Sequence, residues 1–390
     1  MSGHAPTTDV VVIGAGISGA AAAWELARAG VKVTLLDRYG PAAMASGWSL
    51  AGVRQSGRHP AELPLAREAV SQWQTLSERL GGETFYRRSG NLRLARTEAE
   101  VPVIERLVAE QSAAGLELGL IRDHAAMREI VPGLSDLPLA ASFCPSDGHA
   151  DPKATVAAFV HAAERAGAVL RFGERALAIE TVSGRVTGVR SSTGFIPARR
   201  VVLAAGIFGN ELLNPLGLHV PLDVQIVSAL QSVPMQPMLG PVIGVANADV
   251  AGRQEANGRF RVTSGVEPWG GQIEDGPSPV VRPTAISLAG AVEKFAAVFP
   301  PFAEAAVEAI WAGLIDMTPD GVPVIEASRD VEGLVIAMGF SGHGFCLGPV
   351  TGHILAALAT GADPALPIEA FCLARFAGWN APRQKVTLHG

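Results

Sequence analysis

The run Asp9-Val-Val-Val-Ile-Gly14 leaves the chain few options. It is β-branched with no polar alternation, which is the pattern of a strand buried on both faces of a parallel sheet. Gly14, Gly16 and Gly19 follow in GxGxxG spacing, then a helix-forming stretch from Ala20 to Ala29 that Gly30 stops. A second strand, Val31 to Leu36, ends at Asp37. Strand, glycines, helix, strand and acid in this order predict a dinucleotide site in a Rossmann-like domain. Gly14 permits the turn, Gly16 lets the backbone approach a pyrophosphate, and Gly19 lets the helix pack against the strand. Ala15, Ile17 and Ser18 complete the turn, whose amides face the phosphates. Asp37, with Arg38 beside it, stands where a carboxylate accepts from both ribose hydroxyls, which argues against a 2′-phosphate.

Two downstream segments favour a flavin dinucleotide over a nicotinamide one. Arg200-Val-Val-Leu-Ala-Ala-Gly206 predicts another buried strand ending at Ala205 and Gly206, with a short helical piece from Ile207 to Leu213. Before it, Val169 to Phe172, Arg175 to Glu180 and Arg185 to Arg190 predict a small antiparallel meander with a Ser183-Gly184 turn. Gly333 to Gly339 predicts a strand, Phe340 to Gly348 a glycine-rich turn, and Pro349 to Thr360 a helix. This second helix N-terminus suits the electron-rich N1/O2 edge of a reduced flavin.

The remaining composition excludes several classes. At 390 residues the chain is long enough for two domains. Its 31 basic and 37 acidic side chains give −6 with no Lys/Arg cluster, so no nucleic-acid partner is expected. Cys144, Cys346 and Cys372 are scattered and form no CxxC, which predicts neither a disulfide framework nor a metal site and suits a reducing compartment. No leader pattern opens the sequence, and each apolar run is broken before the ~20 residues of a bilayer span. A cytoplasmic protein without a membrane span is the expectation.

Six ordered segments carry a family likeness: Val11 to Gly19 with Asp37; Ala45-Ser46-Gly47 leading to Gly52-Val53-Arg54-Gln55; Asp147 to Pro152; Val201 to Gly206; Thr318 to Val324; and Gly339-Phe-Ser-Gly-His-Gly344. Over nearly its whole length the chain resembles the D-amino-acid oxidase-like flavoproteins, among them glycine oxidase, sarcosine oxidase and the β subunits of hydroxyproline and opine dehydrogenases. The resemblance implies FAD and oxidation of a C–N bond by hydride transfer to flavin N5, and the FAD is expected to be non-covalent because Trp311 to Asp316 lacks the cysteine through which sarcosine oxidases attach it. The substrate would be a D-amino acid or a secondary-amine acid of the sarcosine, hydroxyproline or opine kind, and the product an imine that hydrolyses to oxo acid and amine. It also implies a dehydrogenase rather than an oxidase, with electron-accepting partner subunits. A 2-hydroxy acid dehydrogenase and an electron-transfer subunit not catalytic alone remain alternatives. The implied architecture interleaves an FAD domain (residues 1–85, 145–218 and 313–390) with an α+β substrate domain on an antiparallel sheet (86–144 and 219–312). Helices are predicted at Pro64 to Leu80, Glu98 to Ala114 and Pro152 to Ala166, and substrate-domain strands at Leu222 to Val233, Val242 to Ala246 and Arg259 to Thr263.

The chemistry asks for cations over the ring to hold a carboxylate. Arg54 is one candidate and Arg253, on the substrate domain, another, since arginine offers a bidentate fork. His343 sits inside the glycine-rich turn and is a candidate proton carrier or a structural histidine. Ala45, Ser46, Gly52, Val53, Gly339, Gly342, Gly344 and Phe345 are expected around the flavin. His59 and His149 read as structural, the latter beside an Asp151-Pro152 helix cap. Two departures stand out. Monomeric sarcosine oxidases read Ser-Gly-His-Gly-Phe-Lys where this chain has Cys346, and they attach FAD through a cysteine that Trp311 to Asp316 lacks.

Overall fold

A computed structural model describes residues 8–379. Val10–Ile13 forms the centre of a six-stranded sheet, paired in parallel with Val33–Asp37 on one side and Arg200–Leu203 on the other. Leu334–Met338 extends it beyond Arg200–Leu203, Val324–Ala327 closes that edge antiparallel, and Val169–Phe172 closes the opposite edge. Val10, Val12, Leu35 and Val202 pack toward a helical layer, whereas Val11, Ile13, Leu36, Val201 and Leu203 pack toward a small three-stranded sheet. Both faces are therefore covered, which is why the strands need no polar alternation.

The helical layer is built around Ile17–Arg28, packed between Pro152–Arg165 and Gly344–Thr360. A Cβ on Gly348 would fall 2.5 Å from Ile17 Cγ1, and one on Gly352 would fall 2.4 Å from Ala21 Cβ and 2.6 Å from the Ala21 carbonyl carbon. The two helices touch through these glycines. Asp151 caps Pro152–Arg165 by accepting from Ala154 N at 2.7 Å, as the Asp-Pro pair predicts.

A nine-stranded sheet stands beside this layer, drawn from residues 91–144 and 223–317. It is antiparallel except where Val242–Val245 pairs in parallel with Asn91–Ala95. Phe260 and Val262 turn toward Ala285–Val298, whose Phe295 packs with Phe299 and Phe302 on the sheet. The alternate residues Arg261 and Thr263 face the other way, toward the parallel sheet's turns.

Several expectations change. Val169–Phe172 is not part of the meander; it pairs in parallel with Val33–Asp37, and the meander is Ala176–Val182, Arg185–Ser191 and Gly194–Pro197. The span 64–80 is two helices, Leu63–Trp73 and Leu76–Leu80. The last long helix begins at Gly344, with Pro349 inside it. Val250–Gln254, Val307–Met317 and Ala285–Val298 are elements beyond those expected; Val307–Met317 lies wholly in the nine-stranded sheet, across the expected boundary at 313.

Gly352→Val forces backbone and methyl contacts that cannot be relieved by a side-chain rotation. It is expected to lower stability by about 1–3 kcal/mol. Gly290 lies in the helix Ala285–Val298, where a Cβ would meet nothing within 4 Å, so Gly290→Ala is expected to raise stability by about 0.5–1 kcal/mol. Chemical denaturation of both variants checks the pair.

Candidate functional site

A long cleft runs between the two sheets. At one end it is walled by Asp37, Arg38, Tyr39 and Phe208, and at the other by Arg54, Arg58, Gly313, Ile315, Asp316 and Phe340. Gly14, Gly16, Ile17, Ser18, Ala45, Ser46, Gly52, Ala205 and Gly206 line the length between. Gly342, Gly344 and Phe345 bring the N-terminus of Gly344–Thr360 to its far end.

Gly14 and Gly19 stand where no side chain could fit. Gly14 has φ +107°, and a Cβ there would lie 2.3 Å from Ala204 O; a Cβ on Gly19 would lie 1.9 Å from Gly14 O. A Cβ at Gly16 would meet only Ser46 Oγ, at 3.1 Å, and one at Gly206 would meet nothing within 4 Å. The cleft side of these two residues is bare backbone, against which an extended pyrophosphate can lie. Ser46 Oγ accepts from Ile17 N at 3.0 Å and so caps the first helix from outside its own segment. Asp37 accepts from Ala15 N, Tyr39 N and Gly40 N at 2.7, 2.7 and 2.9 Å. Burial raises its pKa against those bonds; Oδ1 takes two of the three, while Oδ2 takes one and keeps a second lone pair for a ribose hydroxyl. The Arg38 guanidinium stacks 3.8 Å from the Phe208 ring centre and donates to Glu211 at 2.8 Å. An FAD molecule fits this set from bare backbone to charged far end.

Five predicted residues sit behind the wall rather than in it. Ala15 supplies an amide to Asp37, Gly19 serves helix packing, and Val53 is buried on a strand paired with Gly148. Gly339, at φ +70°, donates its N–H to Asp316 at 2.8 Å, and His343 is buried against Glu62. Arg253 is placed elsewhere. Its guanidinium donates to Leu50 O, to Ala150 O at 3.0 Å and to His149 Nδ1 at 2.7 Å, and pairs with Glu255. Burial and the neighbouring Arg261 push it down to about 9. With its donors spent on these groups it fastens the nine-stranded sheet to the segment 50–51 and the turn at 149–150, and it does not reach the cleft as a clamp. His149 is buried in the same knot, its pKa held well below the usual range by burial and Arg253. His59 is exposed, and its Nδ1 accepts from Ala61 N. At the position of the sarcosine-oxidase lysine, Cys346 is buried and its thiol donates to Arg54 O at 3.3 Å.

The cations of the far end are Arg54 and Arg58, both buried. Arg54 donates to Ser56 O and Gly57 O, and burial, Arg58 and Arg93 push it down to about 9. Arg58 donates Nε–H to Arg54 O at 3.1 Å, and its Nη1 has no partner. The loop holding them is locked by Asp147, fully buried, which accepts from Gln55 N at 2.8 Å, Ser56 N at 3.2 Å and the Ser56 hydroxyl. Sequence reasoning misses Arg58, Glu62 and Asp316. Arg58 follows Arg54 by four positions, a signal that is present; Glu62 and Asp316 gain meaning only from distant partners.

Comparison with known proteins gives one family and a consistent set of relatives. The family model described as FAD dependent oxidoreductase (DAO) matches residues 9–358. The uncharacterized oxidoreductase YurR of Bacillus subtilis is 27% identical, covering 93% of this chain and 97% of that protein. An opine oxidase subunit of Rhizobium meliloti is also 27% identical, with 86% of this chain and 89% of that one covered. Among solved structures, L-proline dehydrogenase from P. horikoshii superposes with a TM-score of 0.85 at 27% identity, over 95% of this chain and 98% of that one.

Asp316 offers a pH test of the far end. Burial raises its pKa from 3.8 to about 6. The folded state therefore keeps a proton that the unfolded chain releases between those values, and its contribution to stability is lost as pH rises through about 6. Asp316→Asn keeps an oxygen for Gly339 N–H and has no such loss. Its stability relative to the parent is expected to rise between pH 4 and pH 7, read from denaturant midpoints at the two values.

Proposed function

Because the chain belongs to the FAD dependent oxidoreductase (DAO) family, we propose that it oxidises the C–N bond of an amino acid bearing a secondary amine, of the cyclic or opine kind, to an imine that water hydrolyses. The observation that carries this reading is the far end of the cleft: two buried arginines beside apolar Val227, Val242, Leu314 and Phe340. An anionic carboxylate and an apolar substituent suit that combination. The opine oxidase subunit and L-proline dehydrogenase among the relatives support the same substrate class.

When bound, FAD supplies the hydride-accepting ring. The chain's own residues do the rest. Arg58, whose Nη1 has no partner, holds the substrate carboxylate in place of the missing lysine. Arg54 and the first turn of Gly344–Thr360 favour negative charge at the ring's edge. The apolar wall excludes water, which strengthens both effects. The absence of cysteine from Trp311 to Asp316 supports non-covalent attachment. Among the described residues no lysine lines the cleft, and this favours a dehydrogenase that hands electrons to a partner protein over an oxidase.

Anaerobic bleaching of the flavin against N-alkyl amino acids, opines, cyclic imino acids, D-amino acids and 2-hydroxy acids tests the reading. Bleaching by a secondary-amine acid is expected; bleaching by 2-hydroxy acids alone would replace it. Arg58→Lys is expected to weaken binding of the carboxylate substrate by about 10- to 100-fold, from a lost charge-assisted bond worth about 1.5–3 kcal/mol. The apparent Kd from the same titration checks it. Aerobic turnover of the isolated chain is expected to yield little peroxide beside that with an artificial acceptor.

A further inference from the structure

Glu62 and His343 are far apart in sequence and meet out of reach of solvent. Glu62 Oε2 lies 3.0 Å from His343 Nδ1, and the two side chains are 0% and 2% exposed. Each stands at a helix start, Glu62 ahead of Leu63–Trp73 and His343 ahead of Gly344–Thr360. Gly342 and Gly344, on either side of the histidine, line the cleft, and so does Arg58. Three polar atoms of this group have no hydrogen-bond partner: His343 Nε2, Glu62 Oε1 and Arg58 Nη1. A lone unsatisfied atom is a local cost, whereas three gathered beside a substrate cleft point to a group that arrives.

The chemistry of the pair assigns its proton. An ionised carboxylate only accepts, so His343 carries hydrogen on Nδ1 and donates it to Glu62, leaving a bare lone pair on Nε2. The charges around it agree. Burial, with Arg58 and Arg54 facing the ring, holds His343 down at about 4 against the opposing pull of Glu62. Glu62 stays below its usual range although burial raises it, because His343, Arg58 and Arg54 face it. Asp147 and Cys346 face Arg54 in turn. At neutral pH the carboxylate is anionic and the imidazole neutral.

We propose that His343 Nε2, held in this tautomer by Glu62 as its positioning residue, accepts the proton that the substrate's ammonium group loses before hydride departs. The proposal rests on the amine reading above. In this step the substrate N–H bond breaks, its electron pair stays on the amine nitrogen, and a new N–H bond forms at Nε2 through one bridging water, because the ring stands behind the cleft wall between Gly342 and Gly344. Nothing is oxidised or reduced. The resulting imidazolium lies against the Glu62 carboxylate, the substrate carboxylate on Arg58 offsets the charge that holds the free ring down, and water entering the cleft after product leaves takes the proton. The neutral amine then has the lone pair that forms the C=N bond.

Anaerobic bleaching rates at saturating amine, across pH 6 to 10, test this in the flavin-loaded full chain. Wild type is expected to vary little with pH. His343→Asn and Glu62→Gln are expected to be slower by about tenfold or more at pH 7, with the deficit closing toward the substrate's own amine pKa, where it arrives already deprotonated. Glu62→Asp should recover part of the rate. A His343→Asn rate within about twofold of wild type at pH 7 overturns the proposal, and so does a deficit equal at both ends of the range. Should His343→Asn fail to hold flavin, nitrogen NMR of histidine-labelled wild type decides: hydrogen on Nδ1 of a neutral His343 at pH 7 is expected, and hydrogen on Nε2 overturns the assignment. A wild-type flavin that no amine bleaches overturns the amine reading and this step with it. Bleaching that His343→Asn leaves unimpaired overturns this step alone.

Discussion

The contact between Ile17–Arg28 and Gly344–Thr360 sets the geometry on which the cleft depends. Glycines at 348 and 352 let the second helix lie on Ile17 and Ala21 with no side chain between. That approach brings two helix N-termini, 327 residues apart along the chain, to one cavity. One faces the bare backbone at Gly14 and Gly16, and the other faces the buried arginines. Widening the contact by a methyl group would move the charged end away from the glycine turn at Gly14 and Gly16. The alanines of the first helix, Ala20 to Ala23, are fully buried for the same reason: small side chains on both partners make a thin interface.

The parts of the fold legible in the sequence are those whose signal is local. Val10–Ile13, the GxGxxG turn and Val33–Asp37 each carry their own reason in consecutive residues, and the structure pairs them as their order requires. Val169–Phe172 was legible as a strand but not in its pairing, because an edge strand of a parallel sheet and a hairpin strand look alike over four residues. Ala285–Val298 and Val250–Gln254 carry weaker patterns, since Gly252 is chosen to seat the Phe295 ring rather than to favour a strand.

The cleft divides along the same line. Glycines and Asp37 could be read from spacing. The far end could not, because its residues are defined by partners 91 to 292 positions away: Asp147 for the loop at 55–56, Glu62 for His343, and the Cys346 thiol for Arg54 O. Arg253 shows the converse. A scarcity of cations in its segment made it a reasonable clamp, yet burial left it no role but to bind what surrounds it. A buried guanidinium is held in place by desolvation as firmly as by any bond, since losing one partner strands the charge.

That same arginine limits how the enzyme can move. It ties the nine-stranded sheet to the carbonyls of Leu50 and Ala150, while Arg261 donates to Ser49 O at 2.9 Å and to Glu255 beside it. Swinging the two halves apart like jaws would strip several buried charges of their partners at once. Traffic of substrate and product must therefore pass through local displacement at the rim of the cleft, with the two sheets travelling as one rigid frame.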